Sequence, residues 1–295
     1  MPSFNLRAFA KEQVCFLAVS FAVFSTEPAI VHAQAGDIAP LPFTQALNLS
    51  RGSVSPGSAE GVYLTLTDAC KIAMGDWGWD SCDGLDAMIV QHLPGVDTTL
   101  IDKPNSDGFV TYEDWEGGDR DAAIAQIETE LASSLKAQGE KTGQDIAFKG
   151  WRVYPTLDVA NNRMVYATDS TWNGDPVINI KATVFDRRGY VVFSIVPVSD
   201  AMTELEIRNM VDATLAAYLP APDETYTSFV SGDKVAAAGA IGVLATLVGV
   251  KYGKAAVGGI IAAALLFLKK GAFLVLLPIA WVVRKLRGKK SDAGV

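Results

Sequence analysis

Hydrophobic and polar positions along this chain follow three patterns. Between 163 and 198 they alternate. VINIKATVF puts Ile178, Ile180, Ala182 and Val184 on one side of an extended backbone and Asn179, Lys181 and Thr183 on the other, the two-residue period of a strand with one face covered and one partly wet. Segments 146–154, 163–172, 176–186 and 190–198 are separated by Asn161-Asn162, Asn173-Gly174-Asp175 and the 186–189 turn, polar connections suited to hairpins. A β-meander is expected.

The second pattern is helical. After Asp119 or Asp121, apolar residues recur at Ile124, Ile127, Leu131 and Leu135, with Gly139 as the stop signal. Over 202–218, Leu205, Met210, Val211, Leu215 and Tyr218 form a stripe that can cover the sheet. Upstream, short strands are expected at 62–66, 85–93, 98–102 and 109–112, with a helix capped by Thr67 or Asp68 running to Met74. The Pro/Ser/Gly-rich stretch 36–58 lacks periodicity and reads as a linker. The predicted fold is α+β, an antiparallel β-meander with packed helices over 59–230.

The third pattern is unbroken apolar sequence near both ends. Arg7 and Lys11 precede the run 14–24, and Ala33-Gln34-Ala35 follows. This predicts a secretory signal peptide over 1–35, with an uncleaved anchor as the alternative. At the other end, apolar runs 235–250, 255–268 and 271–283 are interrupted by Lys251, Lys254, Lys269 and Lys270 and closed by Arg284, Lys285, Arg287, Lys289 and Lys290. Residues 234–290 therefore read as a membrane-anchoring tail. The runs hold 16, 14 and 13 residues, fewer than the roughly 20 that cross a bilayer unaided. The basic cluster belongs on the cytoplasmic side. The expected arrangement has the first run crossing and the other two forming a re-entrant or interfacial hairpin; three crossings are the alternative. Gly249 and Gly253 make a G-x-x-x-G, either a helix-packing face or filler within a span.

Charge sharpens the division. Of 33 Asp and Glu, three lie outside 36–233; of 25 Lys and Arg, twelve do, leaving the body 30 acids against 13 bases, net −17. Such a body repels nucleic acid and anionic headgroups. Without its leader the chain keeps Cys70 and Cys82, an even pair suited to a disulfide in an oxidising compartment, two buried thiols being the alternative. His92 is then the sole histidine, so multi-histidine zinc sites are excluded and it reads as a packed or surface residue. KPNSDGFVTYED places Asn105, Asp107, Gly108, Val110, Thr111 and Asp114 at calcium-loop spacing, but Lys103 occupies the first ligand position. A turn at Ser106-Asp107-Gly108 is the better expectation. Glu113, Asp114, Glu116, Asp119 and Asp121 read as a solvated face and helix start. Trp77, Trp79, Trp115, Trp151 and Trp172 are either core or a contact surface. No residue set reads as catalytic, cofactor-binding or metal-binding.

DGFVTYED, FKGW before Tyr154-Pro155, NNRMVYAT, VINIKATVFDRRGYVVFSIV and SGDKVAAAGAIGVLA occur in that order. In these pieces the chain resembles an uncharacterised bacterial family of membrane-anchored proteins, domain of unknown function 2167. The resemblance implies an anchored extracytoplasmic domain and carries no known activity. The meander followed by the 202–218 helix also resembles, faintly, the fold of the PsbP/Mog1 group, whose members bind partners. The expected protein sits at a bacterial inner membrane, its main domain periplasmic and its C-terminus cytoplasmic. It acts as a non-enzymatic binding or envelope-assembly module, with the membrane and another envelope protein, or a second copy of itself, as partners. An envelope hydrolase using acidic residues or a metal, and a tail-driven oligomer, are the competing expectations.

Overall fold

The computed structural model describes residues 38–57, 60–77 and 79–250. The expected leader, and the apolar runs after 250, lie outside the described residues. The elements in chain order are β1 (Leu41–Pro42), β2 (Leu47–Leu49), β3 (Gly52–Val54), β4 (Val62–Leu64), α1 (Leu66–Lys71), β5 (Leu85–Val90), β6 (Val96–Asp102), α2 (Glu113–Glu116) and α3 (Arg120–Thr142). They continue with β7 (Ile146–Asp158), β8 (Arg163–Trp172), β9 (Asp175–Asp186), β10 (Gly189–Pro197), α4 (Glu204–Ala216), β11 (Tyr218–Pro220) and α5 (Ala240–Leu247). A π-helical turn, Ile72–Asp76, extends α1.

An eight-stranded antiparallel sheet runs β1-β4-β5-β6-β10-β9-β8-β7, and a small sheet runs β11-β3-β2. The meander β7 to β10 forms as its alternation predicts. Asn173 and Gly174 both take positive φ (51° and 87°) in the β8–β9 turn, the conformation that lets a tight hairpin follow the strand twist. The long outer strand β7 is interrupted by three register shifts, irregularities that blunt an exposed sheet edge.

Both faces of the sheet are covered, which corrects the expectation of a wet side. On one face, α4 packs Ile207, Met210, Val211 and Leu215 against Ile178, Ile180, Ala182, Val191 and Phe193. On the other, α3 and α5 pack Ile124, Ile127, Leu131, Ile241 and Leu244 against Met164, Tyr166, Phe185 and Val192. Near β5 and β6 that same face meets α1, where Leu64, Ala69, Met88, Leu100 and Val196 cluster. At about 25 cal/mol per Å² of apolar surface, each fully buried Ile or Leu contributes roughly 1.5–3 kcal/mol.

Helix boundaries follow local chemistry more closely than stripe positions. Thr203 and Glu206 form a reciprocal capping box on α4, and Ile207 takes the core position, leaving the expected Leu205 67 % exposed. Tyr218 leaves the helix and joins β11. Thr65, not Thr67 or Asp68, caps α1, its hydroxyl accepting from the Asp68 amide. α3 passes through Gly139 and ends at left-handed Gly143. Gly139 is needed for contact, since a side chain there would meet the Gln144 carbonyl. Residues 109–112 do not form a strand; Phe109 makes a single parallel bridge to Val235.

Two regional expectations change. The expected linker 36–58 is, over its described residues 38–57, part of the domain: it supplies β1 to β3 and buries Phe43, Arg51 and Val54. A Pro/Ser/Gly-rich segment can be fixed by contacts distant in sequence, which periodicity does not report. The first apolar run also does not form a crossing helix. Its helix α5 has 8 residues, about 12 Å at 1.5 Å per residue, and buries Ala240, Ile241, Val243, Leu244, Ala245 and Val248 in the domain core. Among the described residues no helix is long and apolar enough to cross a membrane. A protein core is as apolar a host as a bilayer, so composition does not distinguish them.

α5 is seated by Asp114, whose carboxylate accepts from the Ile241 amide at 3.1 Å and shields the first turn where free amide groups converge. Gly239 permits this approach, because an added Cβ would fall within 2.6 Å of three Asp114 carboxyl atoms. Gly239→Ala is expected to destabilise the domain by about 1–3 kcal/mol. Amide exchange at 240–247 should rise first, and unchanged exchange there would refute this seating.

Candidate functional site

The β9–β10 turn, Asp186-Arg187-Arg188-Gly189, gathers chain segments from across the sequence. Arg51, next to β3, places Nη1 2.7 Å from both carboxylate oxygens of Asp186, and its Nη2 donates to Ser106 Oγ. Arg51 and Asp186 are 5 % and 1 % exposed. Burial pushes the Asp186 carboxyl up, and the Arg51 guanidinium opposes that shift. Arg187 binds Asp233 through two contacts of 2.7 and 2.8 Å and holds that carboxyl down at about 2. Arg188 pairs with Glu224, with Nε to Oε2 at 2.9 Å. Gly189, at φ 156°, lies flat against the Asn105 backbone, which no larger residue could do. Asp107 donates its amide to Asn105 Oδ1 at 2.8 Å, closing an Asx turn.

Beside this hub a groove of about 450 Å³ lies along the small sheet, lined by Asn48, Ser50, Arg51, Ser53, Leu219 and Glu224 among others. Leu219 is 69 % exposed, and β2 and β11 are the two open edges of the sheet. Tyr218 hydroxyl donates to the Arg51 carbonyl, tying the groove floor to the ion pair.

A second polar set lies inside the main sheet. Lys181 on β9 faces Ser194 on β10 directly across the ladder, Nζ to Oγ 2.7 Å. Tyr166 flanks Lys181 on β8, and Leu100 flanks Ser194 on β6. Burial pushes the Lys181 ammonium down, and the charge of Asp102 partly restores it. The signal for this pair is the polar half of VINIKATVF, which the alternation assigns to a wet face.

The residues singled out by sequence do not form one site. Cys70 and Cys82 form a disulfide with Cα atoms 5.5 Å apart, closing the α1 loop under which Trp77 and Trp79 pack, ring centroids 6.0 Å apart. Trp115 and Trp172 are buried on the α3 side, and Trp151 donates Nε1 to Glu128, so the five tryptophans make no common surface. Asp114 caps α5 and Asp107 belongs to the Asx turn, so the calcium-loop spacing is not a ligand cradle. Among the described residues no three His, Cys, Asp or Glu side chains are grouped to hold a metal. Gly249 adopts φ 74° just beyond α5. That conformation ends α5; Gly253 lies outside the described residues.

The described chain is thus an α+β domain, an antiparallel sheet between helices with three ion pairs meeting at one hairpin. The family model described as "Protein of unknown function (DUF2167)" matches residues 56–280, and the chain belongs to that family. No curated protein matches it. Among solved structures, the solution structure of cyanobacterial PsbP (CyanoP) from Synechocystis sp. PCC 6803 aligns at 12 % identity and a TM-score of 0.27, covering 47 % of this chain and 75 % of that one.

Two predictions follow from the geometry. Arg51→Met leaves Asp186 buried without its partner and should cost about 3–5 kcal/mol in urea unfolding; a loss under 1 kcal/mol would remove the hub from its structural role. His92 is 0 % exposed, and neither ring nitrogen has a hydrogen-bond partner. Burial lowers its pKa from 6.5 to about 4. Its folded pKa lies below the unfolded one, so its contribution is complete above pH 6.5 and lost as pH falls toward 4. The loss is about 3 kcal/mol. His92→Leu should flatten the stability profile across that window, measured against wild type by denaturant titration.

Proposed function

We propose that the chain is a membrane-anchored extracytoplasmic binding or envelope-assembly module of a bacterial inner membrane. In this reading 1–35 export the domain, residues beyond 250 hold it at the bilayer, and the C-terminus is cytoplasmic. The observation that carries the binding role is the groove beside the hub. Its walls are fixed by ion pairs, Leu219 is presented to solvent, and short strand edges flank it. An extended segment of another envelope protein fits such a place, adding its backbone to an open edge and its apolar side chain to the floor. The net charge of −17 over 36–233 keeps the body off anionic lipid and favours a partner with basic residues.

A hydrolase working through acidic residues has weaker support. Asp114 and Asp186, whose carboxyls burial raises, are each engaged by structural partners. A tail-driven oligomer would draw on residues beyond 250.

A photo-crosslinker at position 219 of the full-length chain, in cells, tests the binding role. The expected result is one reproducible envelope partner, lost when Ser53→Arg fills the groove and when residues beyond 250 are deleted. Self-crosslinks alone would favour the oligomer, and an adduct pattern unchanged by Ser53→Arg would remove the groove from the account.

A further inference from the structure

We propose that the groove beside the hub selects a cationic side chain. Its occupant is an extended segment that brings an arginine or lysine to Asp223 and an aliphatic residue to Leu219. This inference rests on the binding role proposed for the groove and names the chemistry that role selects. Room and access are both present: the groove holds about 450 Å³, and Leu219 and Asp223, which line it, are exposed.

One wall of the groove is short of hydrogen-bond donors. It is the run Leu219-Pro220-Ala221-Pro222-Asp223-Glu224, in which neither proline has an amide hydrogen. The Ala221 amide donates to the Arg51 carbonyl, and the Glu224 amide to the Ala221 carbonyl. Leu219 stands opposite Ser53 in the β11–β3 ladder. The bonds from Ala221 N to Arg51 O and from Ser55 N to Ala217 O bracket that pair on either side. Antiparallel bonding alternates from pair to pair, so the Leu219 amide faces β3 and the Pro220 carbonyl turns away from it. What the wall offers an occupant is mainly carbonyl and carboxylate oxygen.

The charges give the preference its sign. Asp223 enters no ion pair or hydrogen bond among the described residues. Arg51, the one cation in the lining, is engaged with Asp186 and Ser106, and Glu224 is held by Arg188. Ser50 donates both its amide and its hydroxyl to Asp86. A free carboxylate beside donor-poor backbone, on a body of net −17, suits a group that only donates. Lysine has three such hydrogens and arginine five, and neither accepts. A solitary surface acid would simply be hydrated; Leu219, 69 % exposed on the same wall, adds an apolar contact that fixes the direction of the segment. An acidic or wholly aliphatic segment would cover Asp223 without pairing it, which weakens binding.

The test uses the purified full-length chain in nanodiscs of zwitterionic lipid, with empty discs as the blank. Short labelled peptides that alternate leucine with arginine, glutamine or glutamate are titrated by fluorescence anisotropy. The leucine–arginine peptide is expected to bind roughly tenfold tighter than the leucine–glutamine one, and the glutamate peptide least. Asp223→Asn should remove about that tenfold advantage, and Ser53→Arg should abolish binding. Glu130→Gln deletes the same charge from the exposed side of α3 and should change nothing. Equal affinity for the arginine and glutamine peptides, lost with Ser53→Arg, would overturn the cation selection and leave the groove as a binding site. Equal weakening by Asp223→Asn and Glu130→Gln would reduce the effect to overall charge and overturn it as well. Failure of all three peptides to bind would overturn it too, while crosslinking from position 219 decides the binding role separately.

Discussion

The ion pair between Arg51 and Asp186 is made nearly out of contact with water, and much of the domain is arranged to make that tolerable. A buried charge is costly unless its partner and hydrogen bonds are fixed. Here the partner comes from 135 residues away in sequence. Ser106, the Arg188 amide and the Tyr218 hydroxyl complete the surround. Bringing them together requires that the N-terminal strands, the 105–108 strap and the chain after α4 all reach the same hairpin. Arg187–Asp233 and Arg188–Glu224 then fasten the last of these segments. The turn orders the first and last described segments around the middle of the sheet.

That organisation explains why the C-terminal run is divided. Once Asp233 is held at the hub and Val235 is paired with Phe109, the following residues start at the edge of the core and α5 fills it. Phe109 stacks between Tyr226 and Phe229, with centroids at 4.3 and 4.1 Å, so the strap and the pre-α5 segment support one another. Residue 250, where the described chain ends, is therefore a fixed point on the domain.

Much of the fold was legible in the sequence because its signals are local. The β7 to β10 hairpins follow from alternation and Asn/Gly turns, and α3 from its 3–4 spacing. The site was not legible. Arg51 stands in a segment without periodicity, and Lys181 and Thr183 looked solvent-facing because they alternate with aliphatics. Whether the second face of a sheet is wet depends on helices placed far along the chain. Asp114 shows the same limit, since carboxylate spacing suits a cation loop equally well as a cap for a helix 127 residues later.

By itself the sequence determined the strand and helix periods, the even pair Cys70 and Cys82, the acidic body and the apolar ends, each a property of neighbouring residues or of composition. Tertiary structure alone decided that 38–57 belong to the domain, that the first apolar run lies in a protein core, and that Ser194 meets Lys181 while Arg51 meets Asp186. Those outcomes depend on which surfaces meet after the chain closes. A buried charge or an apolar run records only that it needs a host, and the host is supplied by residues too distant for any local pattern to name.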